Sequence, residues 1–206
     1  MENFANVPGA AHPMSRRPAA ICVFCGSRTG AQPVHAEAAS ALGTLMAERG
    51  VTLVYGGGRV GLMGVVADAV LAAGGRAVGI IPGFLQRREV AHAGVELQVV
   101  DSMHTRKQRM FDLADAFIVL PGGIGTLDET MEIVTWRQLG HHDKPVVLVD
   151  VAGYWQPLRA LLDHVIRNDF AGANLATLYA VADTPQAAFD LAMRTPSRHP
   201  GTSAGL

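Results

Sequence analysis

Short apolar runs alternate with stretches of mixed apolar and polar residues along most of the chain. The runs predict strands at residues 20–25, 51–55, 77–81, 95–100, 116–120 and 146–151, with a weaker strand at 178–182. Between them, apolar residues at helical spacing predict helices at residues 33–49, 61–73, 103–114, 127–139, 154–168 and 185–193. This alternation, with strands that are apolar throughout, predicts an α/β fold whose mostly parallel central sheet is flanked by helices.

Helix-end signals agree with this division. Gly50 and the pair Gly74 and Gly75 occupy positions typical of helix C-terminal caps, and Ser102 and Thr126 occupy N-cap positions. In a parallel sheet of this type, ligands bind beyond the carboxyl ends of the strands, where the helices begin. A binding site is therefore expected at the strand-to-helix junctions.

Three of those junctions are rich in glycine: FCGS at residues 24–27, VYGGGRVGLMG at 54–64 and LPGGIGT at 120–126. Because glycine has no Cβ, a ligand can approach the backbone N–H groups closely, and the helix N-terminus adds partial positive charge. Each glycine could equally serve only a tight turn, but three such loops at one sheet edge favour phosphate binding. Residues 122–126 also offer the Thr126 hydroxyl, which makes this loop the best phosphate site in the sequence.

The second glycine loop raises a rival function. Gly56, Gly58 and Gly61 match the G-x-G-x-x-G fingerprint of NAD-type oxidoreductases, which expects an acidic residue about 20 positions further on. No Asp or Glu lies between Asp68 and Glu89, so the fingerprint is incomplete. No glycine loop continues into Lys-Ser or Lys-Thr either, which excludes a P-loop.

Glu129 lies beside the predicted phosphate loop and has two interpretations. With Thr126 it fits a capping box, in which Glu129 only returns a hydrogen bond to the helix start. However, Glu129, Glu132 and Trp136 share one helical face. A carboxylate near a bound 5′-phosphate is poorly placed for attack on phosphorus, but well placed to stabilise the oxocarbenium-like charge of a breaking glycosidic bond. The spacing alone leaves both interpretations open.

The preceding predicted helix begins with cations. Arg106 and Lys107 stand near its N-terminus, where the helix dipole disfavours positive charge. An anionic partner is therefore indicated, although a solvated basic face is an ordinary alternative. His104 could act as a general base, but it could equally cap or pack. No metal is predicted, because three further histidines have no regular metal-ligand spacing: His92, His141 and His142.

Composition narrows the class of protein. The 206 residues, 49% of them hydrophobic, predict one domain at residues 19–195 between flexible tails at 1–18 and 196–206. A formal net charge of −1 with scattered basic residues predicts no nucleic-acid partner. No apolar run approaches the roughly 20 residues of a membrane helix, and no signal peptide is recognisable, so a soluble cytoplasmic protein without membrane association is expected.

The two cysteines form a C-x-x-C pair, which raises the question of a disulfide or a metal site. Cys22 and Cys25 stand three positions apart in one predicted strand, so their side chains must point to opposite faces of the sheet. They are therefore predicted to be core residues, in keeping with the frequent burial of free cysteine.

Two motifs carry a resemblance to a known family. PGGIGTLDE at residues 121–129 and MHTRK at 103–107 resemble the PGGxGTxxE and MHxRK signatures of the LONELY GUY family of cytokinin-activating phosphoribohydrolases. Further landmarks occur in family order, among them ADAFIVLPGG at 114–123, TWRQLG at 135–140 and GYW at 153–155. The similarity covers roughly residues 20–170 and leaves both tails outside it.

The resemblance implies a Rossmann-like fold and a homodimer whose active sites take residues from both subunits. It also implies hydrolysis of N6-substituted adenosine 5′-monophosphates (cytokinin nucleotides, with AMP a further candidate) to free base and ribose 5-phosphate, without a cofactor. Arg106 and Glu129 become the catalytic pair. The candidate substrate-binding residues are Ser27, Gly57, Gly58, Met103, Lys107, Gly122, Gly123, Gly125, Thr126 and Glu132.

This chain departs from the family pattern at two places. Many members have Glu where this chain has Thr105, and many have a Ser- and Asn-rich loop at the position of residues 27–31. Neither departure removes a catalytic position, but the second is expected to change how the nucleotide is held.

Such proteins are often labelled lysine decarboxylases, and this sequence disagrees with that label. Pyridoxal-phosphate chemistry needs a Schiff-base lysine. The only lysines are Lys107 and Lys144, and Lys144 precedes Pro145 at a strand start, away from the ligand edge. Two alternatives to an N-glycosidase stay open: a nucleotide-binding protein without hydrolytic activity, in which Glu129 caps its helix, and, less favoured, the NAD-type oxidoreductase.

Overall fold

The computed structural model describes residues 19–86 and 90–194, so both predicted tails lie outside the described residues. The strands in this part of the chain are β1 (Ala20–Phe24), β2 (Thr52–Tyr55), β3 (Ala77–Pro82), β4 (Glu96–Val100), β5 (Ala116–Val119), β6 (Val146–Val149) and β7 (Ala180–Ala182). The α-helices are α1 (Pro33–Glu48), α2 (Gly61–Ala72), α3 (Met103–Leu113), α4 (Ile124–Gln138), α5 (Gln156–Arg167) and α6 (Pro185–Ala192). None of these helices is long and apolar enough to cross a membrane.

All strand pairs are parallel, in the order β4-β3-β2-β1-β5-β6-β7. The chain builds outward from β1 to β4 on one side, returns to the other side of β1 with β5, and continues outward to β7. The strand order therefore reverses between β1 and β5, the switch point where ligands of such sheets bind. The predicted α/β architecture is confirmed, including its weakest strand, β7.

Helices cover both faces of the sheet, because the strands are apolar on both. α1, α2 and α6 pack on one face, and α3, α4 and α5 pack on the other. Cys25 belongs to the core beneath the first layer and Cys22 to the core beneath the second, and both are buried free thiols. The interpretation of these cysteines as core residues on opposite faces is confirmed.

Three of the predicted helix caps are confirmed and one is wrong. Gly50 and Gly74, with φ of 66° and 75°, follow the last residues of α1 and α2, and the Ser102 hydroxyl accepts a hydrogen bond from the Thr105 N–H at 3.1 Å. Thr126, however, is not an N-cap: Gly123 caps α4, which begins at Ile124. The earlier start was hidden because a glycine cap has no side-chain signal and Gly125, in the first turn, is typical of a loop.

Candidate active site

A cavity of about 760 Å³ lies beyond the carboxyl ends of β1 and β5, at the switch point. Its wall is formed mainly by residues 26–32, which follow β1, and residues 121–126, which follow β5 and begin α4. Side chains of α3 close another side, together with the backbone of Gly56, which follows β2. A cavity of this size at this position is typical of a small-molecule site.

The structure brings most of the predicted site residues to this cavity. Those that line it are Ser27, Met103, Arg106, Gly122, Gly123, Gly125, Thr126 and Glu129. Those that do not line it are Gly57, Gly58, Lys107 and Glu132.

The loop between β5 and α4 is fixed to β1 by backbone hydrogen bonds. Leu120 donates its N–H to the Phe24 carbonyl at 2.9 Å, and Gly26 donates its N–H to the Pro121 carbonyl at 3.0 Å. A Cβ on Gly122 would collide with the Thr126 side chain, so this glycine is required by packing. The loop is thus a rigid continuation of the two central strands.

The next glycines of the same loop face open space. A Cβ on Gly123 or on Gly125 would meet no atom within 4 Å, yet both residues line the cavity. They belong to the first turn of α4, whose N–H groups lack partners within the helix and carry the positive end of its dipole. This helix terminus can therefore accept a phosphate directly on its backbone.

The glycines after β2 are used differently. A Cβ on Gly56 would collide with the Arg106 guanidinium, and one on Gly61 with the backbone of the loop after β1. Gly57 has φ of 78° and packs against β3, where its Cβ would lie 3.2 Å from that of Ile81. Gly56, Gly57 and Gly61 therefore allow close contact between protein segments, and of these three only Gly56 reaches the cavity wall.

Arg106 reaches the cavity from α3 and is 5% exposed. Its Nε donates to the Ile80 carbonyl at 3.1 Å and its Nη2 to the Gly56 carbonyl at 2.9 Å. These bonds tie the guanidinium to β3 and to the residue that follows β2. Arg106 is therefore held in one orientation by backbone atoms, which suits a residue that must present a fixed charge to a ligand.

Glu129 lies half-buried on the second turn of α4 and lines the cavity. Because Gly123 is the N-cap, Glu129 is six positions into the helix, beyond the third position from which a capping-box carboxylate reaches back. The capping-box interpretation with Thr126 as the cap is therefore wrong. Thr126 is buried instead, with its side chain against Gly122.

The charges of Glu129 and Arg106 converge on the end of β1. Burial raises the pKa of the Cys25 thiol well above its usual range; the Glu129 carboxylate raises this pKa further, and the Arg106 guanidinium lowers it. The same two groups act in the same opposite directions on the pKa of Cys22, again after burial. One carboxylate and one guanidinium therefore lie near the centre of the sheet edge.

Lys107 turns away from the cavity. Its Nζ lies 3.2 Å from an Asp128 oxygen and 3.1 Å from a Glu132 oxygen, which links α3 to α4. Desolvation lowers its pKa, but the hydrogen bonds to Glu132 and Asp128 outweigh it, and the net shift is upward. The cation near the start of α3 thus has carboxylate partners within the chain, and its position does not require an anionic ligand.

Several cavity residues were missed from the sequence. Tyr154, His35 and Arg28 line the wall on the side of residues 26–32, and Met63, Met110 and Leu85 line it elsewhere. The GYW motif contains Tyr154, but no spacing rule indicates that a residue after β6 turns back to the loop after β5. His35 lies in the first turn of α1 and is 7% exposed, and no motif in the sequence distinguishes it.

Neither lysine lines the cavity, so the structure provides no Schiff-base lysine there. Lys144 donates its Nζ to the Phe111 carbonyl at 2.8 Å and lies 3.8 Å from the centroid of the Phe111 ring. Among residues 19–86 and 90–194, no group of three or more His, Cys, Asp or Glu side chains is arranged to hold a metal ion.

The fold and the site define a doubly wound α/β protein whose switch-point cavity is lined by an open glycine-rich helix terminus, an arginine and a glutamate. The chain belongs to the LONELY GUY family, whose sequence profile is described as "Possible lysine decarboxylase" and matches residues 63–192. It is 49% identical over 151 residues to the cytokinin riboside 5′-monophosphate phosphoribohydrolase LOG7 of Arabidopsis thaliana, covering 73% of this chain and 70% of that protein. It is 48% identical over 165 residues to the probable cytokinin riboside 5′-monophosphate phosphoribohydrolase LOGL1 of Oryza sativa, covering 80% and 74%. The predicted family membership is confirmed.

Solved structures resemble the chain in fold. The molybdenum cofactor binding protein of Rippkaea orientalis superposes with a TM-score of 0.64 at 24% identity, covering 86% of this chain and 96% of that one. The molybdenum cofactor carrier protein of Chlamydomonas reinhardtii gives a TM-score of 0.62 at 21% identity, with 85% and 95% covered. At these identities the likeness extends to the Rossmann-like fold alone.

Proposed function

We propose that this protein is an enzyme that hydrolyses the N-glycosidic bond of N6-substituted adenosine 5′-monophosphates, releasing the free base and ribose 5-phosphate. The observation that carries the proposal is that Glu129 and Arg106 line the same cavity as the open first turn of α4. The relatives of this chain carry names that describe the same reaction on cytokinin riboside 5′-monophosphates.

In this proposal the 5′-phosphate binds at the N-terminus of α4. The N–H groups of Gly123 and Gly125 are the donors that a phosphate oxygen can approach most closely, since no side chain lies above them. Binding of the phosphate fixes the ribose relative to the cavity wall. Binding energy from this distant group then serves to orient the glycosidic bond.

Glu129 lies at most two helical turns from the proposed phosphate position, on the cavity side of α4. As the bond between C1′ and the base nitrogen breaks, positive charge develops on the ribose ring. A carboxylate at this place stabilises that charge and orients the water that attacks C1′. The departing base takes the bonding electrons, and the water supplies both the hydroxyl of ribose 5-phosphate and the proton that the free base gains.

We propose that Arg106 stabilises the negative charge of the phosphate or of the departing base. Its two bonds to backbone carbonyls leave the guanidinium plane fixed, so no reorganisation is needed as charge develops. Met103, Met110 and Met63 form an apolar part of the wall near it. Flexible methionine side chains adapt to apolar groups of different shape, which favours an N6-alkylated base over AMP.

The test of this proposal is the Glu129→Gln variant, measured for base release from AMP and from isopentenyl-AMP. Loss of the charge is expected to slow turnover by about 100-fold or more, the scale of one preorganised electrostatic contact. Glu48→Gln, an exposed position on α1 outside the cavity, is the matched control and is expected to keep wild-type turnover. Glu129→Gln turnover near that of the wild type would leave a nucleotide-binding protein without this chemistry as the better description.

We also propose that the protein is a homodimer that works in the cytoplasm. Ile124, the first residue of α4, is 84% exposed, and Met103 is 37% exposed; both line the cavity. Apolar side chains of this size beside a site favour burial by a second copy. Light scattering at micromolar concentration should give twice the mass of one chain; a monomer would contradict the proposal.

A further inference from the structure

One side chain outside the predicted site is hydrogen-bonded to the phosphate loop. The Tyr154 hydroxyl, from the turn after β6, donates to the Gly122 carbonyl oxygen at 2.6 Å. We infer that Tyr154 is a positioning residue for the 5′-phosphate: it orients the loop without touching the reacting atoms. This inference rests on the proposed function, because it assumes that the phosphate occupies the start of α4.

The orientation follows from the planarity of the peptide bond. In a trans peptide the carbonyl oxygen of one residue and the N–H of the next point in opposite directions. Holding the Gly122 oxygen towards Tyr154 therefore directs the Gly123 N–H away from Tyr154, in the opposite direction within the peptide plane. The Gly26 N–H, bound to the Pro121 oxygen at 3.0 Å, fixes the preceding peptide in the same way.

The same bond also reduces repulsion. A carbonyl oxygen carries partial negative charge, and two of them, on Pro121 and Gly122, belong to the loop that would hold a phosphate dianion. Both accept a hydrogen bond from a donor outside the loop, one from backbone and one from Tyr154. The loop can therefore present its donors to the anion while its nearest acceptors are occupied elsewhere.

Tyr154 is itself held firmly. Its ring packs edge-on against His35 at 5.5 Å and against Trp155 at 4.9 Å. The turn that delivers it is closed by the Asp150 carboxylate, which accepts the Trp155 N–H at 2.6 Å. Within the turn, Ala152 and Gly153 both adopt left-handed backbone conformations, with φ of 54° and 72°. A non-glycine residue in that region costs free energy, and such strain is typical of segments that place a functional group.

This role predicts an effect limited to the phosphate end of the substrate. Tyr154→Phe keeps the ring packing and removes only the donor. The KM for AMP is expected to rise about fivefold, the scale of one lost hydrogen bond, with kcat changed by less than about twofold. Inhibition by ribose 5-phosphate should weaken by the same factor, whereas inhibition by adenine, which has no phosphate, should stay as in the wild type.

The control is Tyr179→Phe, a half-buried tyrosine outside the cavity, which should leave all these constants unchanged. Binding of ribose 5-phosphate and of inorganic phosphate, measured by calorimetry, tests the inference even if the wild type releases no base. The inference fails if Tyr154→Phe binds ribose 5-phosphate as tightly as the wild type does. It also fails if adenine inhibition weakens equally, because the tyrosine would then shape the whole cavity. Absence of base release by the wild type would instead overturn the proposed function.

Discussion

The two longest glycine-rich junctions of the sheet look alike in sequence and differ in what their glycines do. After β2, glycines allow β3, α3 and the loop after β1 to approach closely, since a Cβ at Gly56, Gly57 or Gly61 would meet other parts of the protein. After β5, Gly123 and Gly125 have no protein neighbour within 4 Å. The first junction needs glycine for close packing, and the second needs it so that a ligand can reach the backbone. Replacing glycine by alanine should therefore lower stability at the first junction and weaken binding at the second.

The largest effect is expected at Gly56, where the two uses meet. In Gly56→Ala the new methyl group displaces the Arg106 guanidinium. Turnover with isopentenyl-AMP should fall by about 100-fold or more, because a preorganised charge is moved. Unfolding in denaturant should show a loss of about 2 kcal/mol from overpacking. A variant that keeps wild-type turnover would show that Arg106 has no chemical role.

A substitution at Gly57 distinguishes a packing role from a binding role. The family resemblance makes Gly57 a candidate substrate-binding residue, whereas the structure places it against β3. Gly57→Ala forces a side chain into a left-handed conformation and a crowded site, and should lower the free energy of unfolding by about 2 kcal/mol. Nucleotide affinity should stay within about twofold of the wild type, because Gly57 does not line the cavity and acts on the ligand only indirectly. A large loss of affinity without a loss of stability would restore the binding interpretation.

Gly123 should behave in the opposite way. Gly123→Ala places a methyl group in open space on the cavity wall, so no overpacking follows, and the poorer N-cap should lower the melting temperature by no more than about 2–3 °C. Ribose 5-phosphate should bind about tenfold more weakly, the equivalent of roughly 1.4 kcal/mol, because the phosphate can no longer approach the backbone. Calorimetry and thermal melting on the same sample check both halves. Unchanged affinity would place the phosphate elsewhere.

The smallest effect, and the one with a reversed sign, is expected at Gly125. This residue lies within the first turn of α4, where alanine is the better helix former. Gly125→Ala should raise the free energy of unfolding by about 0.5 kcal/mol, or the melting temperature by roughly 1–2 °C. Phosphate affinity should still fall. A variant that is both more stable and a tighter binder would contradict the proposed use of this turn.

The sequence predicted the sheet and its helices well because each strand is a nearly unbroken apolar run bounded by clear helix ends. It failed at the start of α4, where Gly123 caps the helix without a side chain. Eight predicted site residues lie at the cavity, because motif spacing fixes positions along one loop or one helix. Tyr154 was missed for the opposite reason: its bond to Gly122 joins residues 32 positions apart, and only the assembled sheet brings them together.

The placement of Cys22 and Cys25 gives the protein two internal reporters of its own dynamics. Cys22 lies in β1 and Cys25 directly follows this strand, and each thiol is buried beneath a different helical layer. A thiol reagent can modify Cys22 only after the α3–α5 layer opens, while Cys25 also borders the cavity and can be reached from that side. Their two modification rates therefore separate local opening of each layer from global unfolding. Nucleotide in the cavity should protect Cys25 and leave the rate at Cys22 governed by the layer above it.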